Sequence, residues 1–332
     1  MATRGEFLSA ITMSTAISAL PAFPSPMRKP PMLRRGDRIG LIAPASPLAE
    51  NEIVAGLEHV RLLRLEPVLG DFVRAHDGYL AGTDEERAAD FNRMARDSTI
   101  RGIFALRGGY GTMRILDRLD YAAIAADPKV IMGFSDITAV LNAVARRSRV
   151  ITFHGPVASR ETTFDPVARA YIEQACMSTD PIGELRAPDA TVIAAGRARG
   201  PISGGNLSLV SALVGTPWVP AIHNSLLLLE ETDEQPYRID RMLTQLRLAG
   251  VFKAASGVVF GACTNCLPKG PSFSFEEVLS DRLGDLGRPV ISGVSVGHIP
   301  DQWVLPIGLE AELDAQGRTL RIAEPAVTRS PL

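Results

Sequence analysis

From residue 36 onward, short apolar runs alternate with longer stretches in which apolar residues recur every three or four positions. Residues 38–43 read as a short buried strand stopped by Pro44-Ala-Ser-Pro47, and residues 50–63 repeat at helical spacing. The pattern then recurs. Residues 67–69 suit a short strand, 83–94 a charged helix, 100–106 a strand, 111–119 a helix, 130–133 a strand and 137–146 a helix. Such alternation predicts a Rossmann-like α/β domain, a parallel sheet with helices on both faces, over residues 32–165. Ligands of such sheets sit beyond the carboxyl ends of the strands.

The character changes after Val150. Residues 167–177 suit a helix, and a looser stretch rich in Pro, Gly, Ala and Asp follows, so residues 166–199 are expected to link two domains. Residues 200–215 read as a glycine turn feeding an apolar helix. Strands are then expected at 225–230, 257–261 and 289–292, helices at 239–248 and 275–286, and a terminal hairpin from 307–313 and 319–322, within a second domain over 200–330.

The first 31 residues are expected to stand apart from the core. A charged start, Thr3-Arg-Gly5, precedes a weakly apolar run over residues 9–20 and a proline-rich segment. The order resembles an export signal of twin-arginine type in which Gly5 stands where the second arginine is required, and the run is too short to span a membrane. Periplasmic and cytoplasmic placement both remain open, with the periplasm favoured.

Composition narrows the function. With 46% apolar and 22% charged residues the chain is an ordinary globular one, and its 332 residues suggest two domains. The net charge of -2 offers nothing to nucleic acid or to an anionic membrane. Cys176, Cys263 and Cys266 are too few for a disulfide framework, and Cys263-Thr-Asn-Cys266 has no second ligand pair at zinc spacing. That pair reads as buried packing, or as a local disulfide if the protein is exported.

The candidate chemistry gathers at predicted strand ends. In Gly133-Phe-Ser-Asp136 a strand stops and a helix begins, so Ser135 either caps that helix or is presented as a nucleophile. Arg107-Gly-Gly-Tyr-Gly111 is a strand-end glycine loop whose backbone N–H groups suit a phosphate or an oxyanion, although its spacing is not that of a dinucleotide fingerprint. A serine nucleophile needs a histidine base and an acid to orient it. Of the five histidines, His154 and His298 lie at strand ends flanked by glycine and proline, whereas His59, His76 and His223 read as packing or surface residues. Glu230 and Glu231 end an apolar run, and strand alternation lets only one of them face a given side.

These residues resemble the LD-carboxypeptidase family of serine peptidases. The motifs that carry the resemblance are Gly40-Leu-Ile-Ala-Pro-Ala-Ser-Pro47, Arg107-Gly-Gly-Tyr-Gly111, Gly133-Phe-Ser-Asp-Ile-Thr138, His154-Gly-Pro156, Gly204-Gly-Asn-Leu207, Leu229-Glu-Glu231, Tyr237-Arg-Ile-Asp-Arg241, and Gly297-His298 through Leu305-Pro-Ile-Gly308. They run in order over residues 32–325. The resemblance implies a C-terminal domain of the swivelling β/β/α kind, an active site between the domains, and a triad of Ser135 as nucleophile, Glu230 as orienting acid and His298 as base. Ile137 departs from the second glycine of the α/β-hydrolase elbow, so the likeness to those enzymes is one of chemistry alone.

The implied substrate is a muropeptide tetrapeptide that loses its terminal D-alanine, with no cofactor and no metal. On this reading the backbone N–H groups of Gly109 and Asp136 are expected to form the oxyanion hole, and Arg107 and His154 to contact substrate. Pairing with a second copy of the chain stays open. Two other readings compete: an immunity enzyme of the same family that cleaves an amide in a peptide-nucleotide antibiotic, and a non-catalytic muropeptide- or nucleotide-binding module.

Overall fold

The computed structural model describes residues 20–159 and 164–329. In chain order the first part runs β1 (Arg38–Ile42), α1 (Glu50–Leu62), β2 (Glu66–Leu69), α2 (Asp84–Arg96), β3 (Ile100–Ala105), a 3-10 turn (Thr112–Arg118), α3 (Tyr121–Ala126), β4 (Val130–Gly133), a second 3-10 turn (Ser135–Ile137), α4 (Thr138–Ser148) and β5 (Thr152–His154). There follow α5 (Pro166–Cys176), β6 (Gly183–Arg186), β7 (Thr191–Ala194), β8 (Arg197–Asn206), α6 (Leu207–Leu213), β9 (Leu226–Thr232), α7 (Pro236–Leu248), α8 (Val251–Ala254), β10 (Gly257–Thr264), α9 (Phe275–Leu283), β11 (Val290–Ser292), β12 (Leu305–Ile307), β13 (Glu310–Asp314) and β14 (Thr319–Ile322).

Two sheets result. The first has the order β12-β5-β4-β3-β1-β2 and is parallel except for β12, which runs antiparallel to β5. The second has the order β6-β14-β13-β8-β9-β10-β11-β7, with a parallel centre over β8 to β11 and antiparallel flanks. The parallel strands are buried on both faces, which is why 226–229 is a run of four leucines rather than an alternating pattern. One apolar cluster contains Leu41 and Phe153 of the first sheet together with Ile202, Leu228 and Val259 of the second, so the two units share a core.

Several segments differ from the sequence reading. The expected glycine turn at 200–206 is the second half of β8, a ten-residue strand. Its glycines are there for close approach: a Cβ on Gly204 would lie 2.4 Å from the Leu228 carbonyl oxygen, and one on Gly205 would lie 2.5 Å from Thr138 Oγ1 across the junction between the sheets. Residues 166–199, expected as a linker, form α5, β6 and β7, and both strands belong to the second sheet. The expected strand at 307–313 is broken at Gly308, where φ is 94°, so that β12 joins the first sheet and β13 the second.

Part of the N-terminal extension is built into the structure. His223 N–H donates to the Pro21 carbonyl at 3.0 Å, the backbone of Arg28 exchanges hydrogen bonds with Arg149 and Ile151, and Phe23 and Met27 pack on the shared core. The signal-like stretch up to residue 19 lies outside the described residues. Among the described residues no helix is long and apolar enough to cross a membrane.

Candidate active site

Ser135 sits where β4 ends. Gly133 closes the strand, Phe134 is extended, and Ser135 opens the 3-10 turn with φ at 61°. A non-glycine residue in the left-handed region stores strain of roughly 1–3 kcal/mol, which its surroundings must hold in place. The surroundings do so through two glycines. A Cβ on Gly133 would meet the Ile137 side chain at 2.9 Å, and one on Gly108 would lie 3.0 Å from Ser135 Cβ and 3.1 Å from its Oγ. The hydroxyl is therefore raised off the strand with the glycine loop against it, and Phe134, rather than Ser135, occupies the position before the turn.

The loop at 107–111 is anchored by groups beyond the ends of β1 and β4 and by Arg87 of α2, which the sequence did not single out. Ser46, beyond the end of β1, receives a hydrogen bond from Tyr110 N–H at 3.2 Å and donates its own N–H to the Gly108 carbonyl at 3.3 Å. The buried Arg87 guanidinium donates to the Pro44 and Gly111 carbonyls at 2.6 and 2.9 Å, tying the loops after β1 and β3 together. The Asp136 carboxylate accepts the Thr112 N–H at 2.8 Å, and the Thr112 hydroxyl donates to the Asp136 carbonyl at 2.6 Å. The Ser135 turn and the glycine loop are thus locked to each other.

Burial pushes the Asp136 carboxyl up to about 6, against the opposing hydrogen bonds from Thr112. Between the unfolded value near 3.8 and about 6, the folded protein holds a proton that the unfolded chain has released, so stability from this group falls as pH rises through that window. Asp136→Asn keeps an acceptor for Thr112 and removes the charge. In denaturant titrations it is expected to match the unsubstituted protein at pH 4 and to exceed it by about 1–3 kcal/mol at pH 7. A difference that does not change with pH contradicts this account.

The acidic pair at the end of β9 divides as strand alternation requires. Glu231 faces α6, accepting from Asn206 Nδ2 at 3.0 Å and from the Ser208 N–H and hydroxyl at 2.9 and 2.7 Å. Glu230 faces the other way and is fully buried. Its Oε2 lies 2.8 Å from His298 Nδ1, and Thr264 Oγ1 donates to the His298 carbonyl at 3.1 Å, fixing the loop that carries the ring. Phe134, the neighbour of Ser135, packs edge-on against the imidazole with ring centres 4.7 Å apart.

Gly297 makes the Glu230–His298 contact sterically feasible. Its φ is 116°, and a Cβ there would lie 2.9 Å from Glu230 Oε2 and 3.1 Å from Glu230 Cβ. Gly297→Ala combines backbone strain with this collision and is expected to cost about 2–4 kcal/mol of stability in chemical denaturation. A loss below about 0.5 kcal/mol shows that the loop has room to spare.

Arg107, Gly108, Gly109, Phe134, Ser135, Val157, Thr232, Asp233 and His298 line one cleft of about 230 Å³ at the carboxyl ends of β3, β4 and β9. The expected site residues therefore meet, with qualifications. Arg107 reaches the cleft, and its Nη1 also pairs with the Glu52 carboxylate at 3.2 Å and with the Pro47 carbonyl at 3.3 Å. Gly108 is the glycine against Ser135, whereas Gly109, with φ at 114°, turns its Cα toward Ser46. His154 does not line the cleft: its ring is fully buried between the sheets, so it cannot contact substrate. Its burial holds the imidazole down to about 4, only partly offset by the Glu230 carboxylate, and it is neutral at physiological pH.

A disulfide joins Cys263, near the end of β10, to Cys266 in the loop that follows. Among the described residues no three His, Cys, Asp or Glu side chains gather as a metal site needs.

A strained serine, a carboxylate-held imidazole and a glycine loop on one cleft are the parts of a serine hydrolase. The particular family is shown by comparison with known proteins. Residues 39–155 match the LD-carboxypeptidase N-terminal domain and residues 199–313 the LD-carboxypeptidase C-terminal domain. The chain is 36% identical to a probable murein peptide carboxypeptidase of Bacillus subtilis over 92% of its own length and 97% of that protein. It is 30% identical to the murein tetrapeptide carboxypeptidase of Pseudomonas aeruginosa, over 86% of this chain and 94% of that one. The solved structure of the microcin C7 self-immunity protein MccF of Escherichia coli superimposes with a TM-score of 0.83 at 25% identity, covering 91% of this chain and 100% of that one. The chain belongs to the LD-carboxypeptidase family.

Proposed function

We propose that the protein is a serine carboxypeptidase that hydrolyses the L,D-peptide bond releasing terminal D-alanine from muropeptide tetrapeptides. The observation that carries the reading is the placing of Ser135, His298 and Arg107 on one cleft, with His298 held from behind by the buried Glu230. Glu230 accepts the Nδ1–H of His298, which leaves Nε2 free as the base. The imidazole takes the Ser135 proton as Oγ adds to the peptide carbonyl. The backbone N–H groups of Asp136 and Gly109 receive the oxyanion, each such donor being worth roughly 3 kcal/mol. His298 then protonates the departing alanine nitrogen as the C–N bond breaks. Water, deprotonated by the same imidazole, releases the tripeptide and regenerates the serine.

An exopeptidase must recognise the terminal carboxylate, and Arg107 is the cation in the cleft. Arg107→Ala is expected to raise KM for tetrapeptide about 10- to 100-fold while leaving kcat within about threefold, as the loss of a charged hydrogen bond requires. An unchanged KM removes Arg107 from substrate recognition and leaves it as the partner of Glu52.

The fold shared with the immunity protein supports a second reading, amide hydrolysis in a peptide-nucleotide conjugate. One experiment separates the two. The protein is incubated with disaccharide tetrapeptide and, separately, with an aminoacyl sulfamoyl adenosine, and the products are weighed by mass spectrometry. Loss of a single alanine from the tetrapeptide alone is the expected result, and cleavage of the nucleotide conjugate alone favours the second reading. We further infer export to the periplasm, since a closed Cys263–Cys266 disulfide is the form that persists in an oxidising compartment. N-terminal sequencing of the native protein tests it: a chain that still begins at Met1 contradicts export by a cleaved signal.

A further inference from the structure

Three fully buried side chains, Glu230 itself among them, carry polar atoms with no hydrogen-bond partner among the described residues: both ring nitrogens of His154, Oε1 of Glu230, and both amide atoms of Gln302. Burying such groups is costly unless they serve one another, and an apolar side chain at 154 would pack there at less cost. Their placement is not scattered. His154 pairs with Gly133 on β4, two residues before Ser135, and with Leu305 on β12. The loop that runs from His298 into β12 carries Gln302. Phe134 is in ring contact with both histidines, its centre 6.1 Å from that of His154 and 4.7 Å from that of His298. Gly205 precedes Asn206, which pairs with Glu230, and a Cβ on Gly205 would lie 3.1 Å from His154 Cδ2. The ring thus lies against β4, which leads into Ser135, β8, which pairs with the strand of Glu230, and β12, which follows the loop of His298.

Donors and acceptors in this set complement each other. A neutral imidazole has one N–H and one lone pair, Oε1 of a carboxylate only accepts, and a carboxamide offers both. We propose that His154 is a positioning residue, delivering one ring N–H to Oε1 of Glu230 across one buried water, and thereby fixing the carboxylate whose Oε2 holds His298. The depressed basicity of His154 suits this role, since a charged ring would compete with His298 for the same carboxylate. A carboxylate held at one oxygen only is free to rotate about its last bond, and the partner imidazole would follow it.

The inference rests on the proposed role of Glu230 and His298, and its test has an arm that needs no substrate. In protein carrying 15N-labelled histidine, the His154 N–H resonance is expected to shift when Glu230 is replaced by glutamine, and an unmoved resonance overturns the proposal whether or not the protein cleaves muropeptides. In the kinetic arm, His154→Phe is expected to lower kcat about 10- to 100-fold with KM within about twofold, and to broaden or abolish the low-field proton signal of the His298–Glu230 hydrogen bond. His154→Gln, which restores a donor, is expected to keep kcat within about fivefold of the unsubstituted protein and to retain the signal. A folded His154→Phe with unchanged kcat and signal, or a glutamine variant as impaired as the phenylalanine one, overturns the role.

Discussion

Ser135→Ala is expected to lower kcat for release of D-alanine by about five orders of magnitude, with KM within about threefold of the unsubstituted protein. The loss is this large because the substitution removes the atom that forms the covalent bond. The remaining rate comes from the oxyanion donors and from binding alone. The fold is expected to survive, since alanine fits where Ser135 Cβ already sits 3.0 Å from the position a Gly108 Cβ would take, and the strain at φ 61° is common to both residues. A melting temperature within a few degrees, together with the kinetic loss, separates a chemical role from a structural one. Retention of more than about a hundredth of the activity places the nucleophile elsewhere.

The second large effect is expected at Glu230. Glu230→Gln keeps the shape of the side chain and one carbonyl oxygen, yet it can turn an N–H toward His298 Nδ1, which reverses the tautomer and leaves no lone pair at Nε2 for the Ser135 proton. A fall in kcat of about 10³ to 10⁴ is expected, with KM little changed. Glu231→Gln serves as the control. Glu231 faces α6 and is expected to affect stability rather than kcat, and equal kinetic losses at the two positions contradict the division of the pair.

Much of the N-terminal sheet was legible in the sequence, because its strands are short apolar runs and its helices carry clear apolar spacing. Ser135 at the end of β4 and the glycine loop after β3 follow from that alternation alone. Periodicity did not choose between Glu230 and Glu231, or between His154 and His298; the family resemblance did. What stayed hidden depends on contacts distant in sequence. Gly204 and Gly205 look like a turn, but they are strand residues because Leu228 and Thr138 lie where side chains would go. Arg87 looks like one charge in an exposed helix, yet it is buried and clamps two loops that lie 43 and 24 residues away in sequence. Strand-end placement and a Gly-Pro setting made His154 a candidate base, and nothing local announces that β12 returns from the far end of the chain to seal it in.

The central claim is that Ser135 becomes acylated. It is tested most directly with a tetrapeptide in which D-lactate replaces the terminal D-alanine, so that the better leaving group speeds acylation relative to deacylation. After acid quench and proteolysis, mass spectrometry is expected to find the tripeptide acyl group on the fragment containing Ser135, and to find none in Ser135→Ala. An adduct that maps to any other side chain, or one that forms equally in Ser135→Ala, contradicts the account.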